Sequence, residues 1–180
     1  MNKNKAVIQF LLRFFTVYIT LTVLYSLYLN SAQETNSFFG CAPITKVVAE
    51  QSKSVVEVLG YNVELSQSIN ELSILFTINQ SSVAKIVEGC TAVSVMILFL
   101  AFIIAFKGNY KNTVLFGIIG LLIIYVANIL RIAILAIGIY HYPEYSDFLH
   151  GVVFPGIIYG MVFLLWVIWV KKYAIKSQKK

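Results

Sequence analysis

The chain has 180 residues, of which 59% are apolar and 12% charged, and its formal net charge is +6. A soluble domain carries roughly 25% charged residues, so a chain this apolar and this short needs lipid to solvate part of its surface. The basic residues cluster beside apolar runs, which argues against nucleic acid as a partner. No group of cysteines and histidines has metal-ligand spacing, so we expect neither a metal nor another cofactor.

Residues 7–29 form the first apolar run. At about 1.5 Å per residue, a helix of this length crosses the roughly 30 Å hydrocarbon core of a bilayer. A cleaved signal peptide is the alternative, but its apolar region is usually only about 7–15 residues long. Phe38 and Phe39 also make Cys41 a poor lipoprotein cleavage site. We therefore expect an uncleaved anchor helix that follows a short cytoplasmic terminus at residues 1–6.

Residues 30–89 are predicted to form a small extracytoplasmic insert with a surface helix. Pro43 suits the start of this helix and Gly60 suits its end. Its apolar stripe indicates that it lies on the membrane or on the helical bundle. The stripe consists of Ile44, Val47, Val48, Val55 and Val58.

Alternating apolar residues follow in the same insert, at Tyr61, Val63 and Leu65 and again over residues 72–78. A period of two residues is typical of strands that bury one face. The two alternating stretches predict a small β-hairpin with its turn near residues 67–71.

Three further apolar runs complete a predicted all-α polytopic membrane protein of about four transmembrane helices, with the α/β insert after the first helix. The second run, residues 90–106, is short for a span and is expected to borrow residues from Val83 onward. The third run covers residues 114–139. The fourth covers residues 151–170, with Pro155 in its first turn, where a missing N–H costs least.

The orientation follows from lysine and arginine, which favour cytoplasmic segments. With the N-terminus inside, the loop at residues 107–113 and the basic tail at residues 171–180 are cytoplasmic, and the loop at residues 140–150 lies outside. All eight acidic residues also lie outside in this arrangement. The basic residues left outside are only Lys46, Lys53, Lys85 and Arg131.

Arg131 is an ionisable residue within an apolar span, which is costly and usually functional. It follows Thr113 by 18 positions, or about 27 Å of helix rise, which places it near the outer boundary. Asn128 precedes it by three residues on the same helix face. The simpler alternative is an arginine that only extends to the outer headgroups.

Cys90, Arg131 and His150 all fall at one depth on the outer side of the predicted topology. A thiol is a nucleophile when a helix N-terminus or a cation activates it. A histidine can accept the thiol proton and deliver it to a leaving amine. An arginine can stabilise the oxyanion of a tetrahedral intermediate. The three side chains together therefore favour acyl transfer.

The same chain offers alternatives for each of these roles. Cys41 also lies outside and is either a second candidate nucleophile or a disulfide partner of Cys90. His141 could replace His150, although a solvated histidine is the common case in such a loop. Glu88 either orients a catalytic partner or is a simple exposed acid.

Three motifs resemble those of the exosortase/archaeosortase family. They are VEGCTA at residues 87–92, NILRI at 128–132 and FLHG at 148–151. The resemblance covers roughly residues 85–170, and all three motifs occur in the family's order. Many members have Ser-Gly or Asn-Gly after the cysteine, where this chain has Thr91-Ala92. Many are also longer, so the chain is similar to a short variant of the Bacteroidetes type.

The resemblance implies a membrane-embedded cysteine transpeptidase in the bacterial inner membrane, with its site facing the periplasm. Its partners would be secreted proteins that end in a sorting motif, a transmembrane helix and a basic tail, and it would pass them to a cell-surface acceptor. Cys90 would be the nucleophile, Arg131 the transition-state stabiliser and His150 the proton-transfer residue. Asn128 would be a supporting residue.

Two other function classes compete with the enzyme. One is a non-catalytic membrane subunit that assists envelope or polysaccharide export, in which Cys90 would tolerate substitution. The other is a small transporter, which would need several polar residues through the bilayer depth. The middle of the predicted spans is almost uniformly apolar, which disfavours a transporter.

Overall fold

The computed structural model describes residues 3–33, 40–106 and 109–174, and this part of the chain is mostly helical. The elements, in chain order, are α1 (Lys3–Ala32), α2 (Pro43–Val58), β1 (Val63–Gln67), β2 (Ile74–Ile78), β3 (Ser81–Ile86), α3 (Val93–Ala105), α4 (Tyr110–His141), α5 (Ser146–Phe148) and α6 (Phe154–Trp169). Short 3₁₀ turns lie at Glu88–Thr91 and Pro143–Tyr145, and π-helical turns at Leu149–Val153 and Val170–Ala174. Phe38, Phe39 and parts of the predicted loop 107–113 and tail 171–180 lie outside the described residues.

The chain divides into two compact units. Unit 1 comprises Met1–Leu27, Val93–Ile124 and Tyr159–Lys180, and unit 2 comprises Tyr28–Ala92 and Tyr125–Ile158. Helix α4 contributes residues to both units.

Three helices in the described ranges are long and apolar enough to cross a membrane, namely Lys5–Ala32, Tyr110–His141 and Pro143–Lys172. The apolar helix α3 has 13 residues, which gives about 20 Å of rise against a hydrocarbon core of about 30 Å. The expectation that this helix borrows residues from Val83 onward is wrong, because Val83 belongs to β3. The chain is thus a multi-pass membrane protein with one short apolar helix.

Aromatic side chains make many of the contacts inside unit 1. The rings of Phe102 and Trp166 stack with their centroids 4.3 Å apart. Phe10 contacts Phe106 at 4.7 Å, which joins α1 to the end of α3. Ring pairs of this kind add about 0.5–1.5 kcal/mol beyond their buried area, a useful contribution in lipid, where burial alone drives little association.

Unit 2 contains a three-stranded antiparallel sheet in the order β1-β2-β3. The predicted hairpin corresponds to β1 and β2, with Val63 opposite Ile78 and Gln67 opposite Ile74. The third strand was not expected from the sequence. Its register with β2 shifts between Phe76 and Thr77, so one strand bulges there.

Helix α2 packs on this sheet with a face that coincides only in part with the predicted stripe, since Val48 and Val55 belong to both. Its buried residues are Thr45, Val48, Ala49, Ser52 and Val56. Val47 and Val58 of the predicted stripe are 44% and 88% exposed. The small polar side chains fit under the sheet because Ser52 donates a hydrogen bond to the carbonyl of Val48 in its own helix.

The core of unit 2 joins three elements that are distant in sequence. Phe76 and Ile78 of β2 and Val48 of α2 are fully buried in it. Helix α4 contributes its part from Ile129 to Ala136 to the same cluster. This packing joins the sheet to the C-terminal half of α4, the part of that helix that carries Arg131.

The last long helix begins earlier than expected. The helical region starts at Pro143, and Pro155 therefore lies in its interior and not in its first turn. The π-helical turn at Leu149–Val153 directly precedes this proline, and the N–H of Phe154 donates to the carbonyl of Leu149. A wider turn accommodates a residue that has no N–H and whose ring crowds the preceding turn.

Candidate active site

Cys90 lies in the 3₁₀ turn Glu88–Thr91, which connects β3 to α3. Its N–H donates a hydrogen bond of 2.8 Å to the carbonyl of Val87. The expected position at the N-terminus of the second helix is therefore wrong, because Ala92 separates the turn from α3. Ala92 has φ +60°, a left-handed conformation that favours glycine.

The carboxylate of Glu88 fixes this turn against the start of α2. One oxygen accepts hydrogen bonds from the N–H of Ala42 at 2.9 Å and from the side chain of Gln33 at 3.1 Å. The other accepts a hydrogen bond from the hydroxyl of Thr45. Glu88 is half-buried, and both of its carboxylate oxygens accept hydrogen bonds. The alternative that Glu88 is a simple exposed acid is therefore wrong.

Asn128 connects α4 to the same turn. Its side chain is fully buried, and its amide donates a hydrogen bond of 2.7 Å to the backbone carbonyl of Cys90. Within the described residues, the other amide atom, Oδ1, has no hydrogen-bond partner. The Nε of Arg131, one turn further along α4, is likewise buried and unpaired there.

His150 lies in the π-helical turn before α6 and is exposed. We expected His150 at the start of the last helix. It lies instead between the helical turns that begin at Pro143 and the start of α6 at Phe154. π-turns inside helices are frequent at functional sites, where they redirect a side chain.

A pocket of about 250 Å³ in unit 2 has Cys90, Arg131 and His150 on its wall. One side of this pocket is formed by β3, and another by the C-terminal half of α4. The sequence analysis did not assign Lys85 and Ser146 to the site, although both line it. Lys85 could have been assigned to the site from the sequence, because it precedes Cys90 by only five residues. No sequence feature distinguishes Ser146 in this way.

The lining of this pocket contains cations and no carboxylate. Besides Arg131 and Lys85 it includes the titratable His150. The ammonium of Lys85 is held by Glu71 at 3.0 Å on the exposed side of the sheet. A pocket lined by positive charge favours the binding of a molecule that carries negative charge or develops it during a reaction. No group of three His, Cys, Asp or Glu in the described ranges is placed to hold a metal ion.

The structure places the alternative residues away from the pocket lining. Cys41 is 2% exposed and is a free thiol, as is Cys90, so the two do not form a disulfide. Burial raises the pKa of the Cys41 thiol, which disfavours its reactive thiolate. His141 instead forms a hydrogen bond of 2.7 Å between its Nε2 and the hydroxyl of Tyr61.

The comparison with protein families gives a match over nearly the whole chain. The family model for transmembrane exosortases covers residues 8–173, which extends well beyond the motif region at residues 85–170. No curated protein and no solved structure matches the chain. The family match includes α1, the insert and all the helices that follow, and the chain therefore belongs to the transmembrane exosortase family.

Proposed function

We propose that this chain is a cysteine transpeptidase that cleaves the C-terminal sorting signal of secreted proteins and transfers them to a cell-surface acceptor. The observation that supports this proposal is the pocket in unit 2 that Cys90, Arg131 and His150 line together. Family membership is consistent with transpeptidase chemistry.

In the proposed reaction the sulfur of Cys90 attacks the carbonyl carbon of the scissile peptide. His150 accepts the thiol proton and returns it to the leaving amine as the C–N bond breaks. The carbonyl oxygen is negative in the tetrahedral intermediate, and the guanidinium of Arg131 stabilises that charge. The product of this half-reaction is a thioester on Cys90.

In the second half-reaction an acceptor nucleophile attacks the thioester. His150 takes the acceptor's proton, the C–S bond breaks, and the proton returns to the thiolate of Cys90. The new acyl bond joins the secreted protein to the acceptor, and no oxidant or reductant is needed. Hydrolysis would be the same sequence with water as the acceptor.

The proposed topology has four spans, with α3 as the short second span and both termini in the cytoplasm of a bacterial inner membrane. In this arrangement unit 2 carries the site on the periplasmic side. A substrate with its own transmembrane helix would diffuse in the bilayer, so that only its periplasmic juxtamembrane peptide enters the pocket. The distribution of basic residues supports this orientation.

The test exploits the presence of only two cysteines in the chain. We expect Cys90→Ser to insert normally and to leave membrane-anchored substrates uncut, while Cys41→Ser processes them at a rate close to the wild type. The measurement is the ratio of mature to anchored tagged substrate on immunoblots, with a covalent acyl adduct on Cys90 sought by mass spectrometry.

Equal processing in Cys90→Ser and in the wild type would overturn the proposal. That result, combined with loss of processing when the bundle is disrupted, would favour the non-catalytic export subunit instead. Loss of processing in Cys41→Ser alone would transfer the nucleophile role to the buried thiol.

A further inference from the structure

Unit 1 contains a second and larger cavity, which is lined by none of the proposed catalytic residues. It has a volume of about 780 Å³ and is lined by residues of α1, α3 and α4. The lining consists of Arg13, Leu100, Ile103, Ile104, Phe106, Tyr110, Thr113, Val114, Gly117, Ile118 and Leu121. The proposed reaction uses none of these residues.

The cavity is polar at one end and apolar along the rest of its length. Arg13, Tyr110 and Thr113 supply its polar groups. From Tyr110 to Leu121 its α4 wall rises about 16 Å, which is roughly half of the 30 Å hydrocarbon core, or one leaflet. A phospholipid has the same division, with a polar headgroup at the interface and acyl chains of one leaflet depth.

Unit 1 has no residue that can neutralise Arg13. The three segments of this unit contain ten of the fourteen basic residues and none of the eight acidic ones. An arginine beside an apolar groove keeps its charge and needs a counter-charge or water. No side chain of unit 1 supplies this counter-charge, so a molecule outside the chain would supply it.

We infer that this groove is a binding site for an anionic phospholipid, with one acyl chain along α3 and α4 and the phosphate on Arg13. Basic pockets between transmembrane helices are suited to anionic headgroups. The alternative occupant is the transmembrane helix of another protein. A helix that ends in a basic tail would be repelled by a unit with ten cations, so the charge favours the lipid.

The experiment is native mass spectrometry of the purified full-length protein, titrated with phosphatidylglycerol and phosphatidylcholine of identical acyl chains. We expect the wild type to retain phosphatidylglycerol about fivefold more strongly, the size of effect that one basic residue near a headgroup provides. Arg13→Gln should abolish this preference. Lys172→Gln, which removes an exposed charge of the same unit outside the groove, should preserve it.

A second pair of variants tests the groove itself. Val114→Trp places a tryptophan side chain in the groove lining, whereas Leu122→Trp places the same side chain at an exposed position outside the groove. We expect only Val114→Trp to lower lipid retention. Equal effects of the two tryptophans, or an equal loss of preference in Arg13→Gln and Lys172→Gln, would overturn the inference. It would also fail if the wild type retained a synthetic transmembrane peptide and no phospholipid.

Discussion

Asn128 is the buried side chain that connects α4 to the backbone of the cysteine turn. Its amide donates to the carbonyl of Cys90, and Arg131 follows one turn later on the same helix. The spacing of three residues places both side chains on one face. Asn128 is therefore a positioning residue in our interpretation, since it bonds the backbone of the proposed nucleophile and does not itself line the pocket.

This interpretation predicts a pH signature for Asn128→Asp. An ionised aspartate cannot donate to the Cys90 carbonyl, so we expect activity to fall about tenfold at pH 8, in line with a loss of about 1–3 kcal/mol for an unpaired buried group. A protonated aspartic acid carries an O–H, which can donate to the same carbonyl. The ratio of Asn128→Asp to wild-type activity should therefore rise as the pH falls.

Two further variants separate this effect from a general structural loss. Asn128→Leu has no donor at any pH, so its activity ratio to the wild type should be low and constant. Asn62→Asp introduces the same charge at an exposed position of unit 2 and should follow the wild-type profile. A flat ratio for Asn128→Asp from pH 5 to pH 8 would remove the positioning role.

At the scale of elements, α3 and α4 lie very close to each other at Gly120. A Cβ built on this glycine would overlap the ring of Phe99, which itself is fully buried. Real Cβ atoms do not come this close, so any larger residue must displace the ring or the helix. Small residues permit such close helix contacts in membranes.

We predict that Gly120→Ala destabilises unit 1 by about 1–3 kcal/mol, the usual cost of overpacking. Gly160→Ala is the matched control, because nothing lies within 4 Å of its added Cβ. The measurement is thermal unfolding in detergent micelles. The double variant Gly120→Ala with Phe99→Leu should recover part of the loss. Equal melting temperatures for Gly120→Ala and Gly160→Ala would contradict the close contact.

The elements differ in how much of them the sequence could predict. The hairpin followed from alternation over residues 61–65 and, less cleanly because of Leu75, over residues 72–78, and β1 and β2 are present. Strand β3 has the sequence SSVAKI, with one apolar pair and no clear period, so its identity depends on pairing with β2. The buried face of α2 was predicted only in part, for a related reason. Packing against the sheet buries Thr45 and Ser52 and leaves Val47 and Val58 exposed.

The candidate site was predictable to a similar extent. Charge bias and motif order predicted that Cys90, Arg131 and His150 share one side of the membrane, and they line one pocket. The hydrogen bond from Asn128 to the Cys90 carbonyl and the contribution of Ser146 depend on side-chain geometry, which no local pattern encodes. Glu88 also bonds the start of α2 across more than 40 positions of sequence, a separation that local sequence patterns do not cover.

At the scale of the whole molecule, the two units carry charges of opposite sign. Unit 1 contains ten basic and no acidic residues, and unit 2 contains four basic and eight acidic residues. Because basic segments are retained in the cytoplasm, this partition predicts that the sheet-bearing unit lies outside and that both termini lie inside.

Alkaline phosphatase fusions test this topology, because the enzyme is active only outside the cytoplasm. We expect high activity for fusions after Ser68 and after Tyr142 and low activity after Lys111 and after Lys180, with the opposite pattern for green fluorescent protein. The Lys111 fusion examines α3, whose 13 residues are short for a span. High activity after Lys111 would mean that α3 does not cross the membrane. Low activity after Ser68 together with high activity after Lys180 would invert the protein and place Cys90 in the cytoplasm.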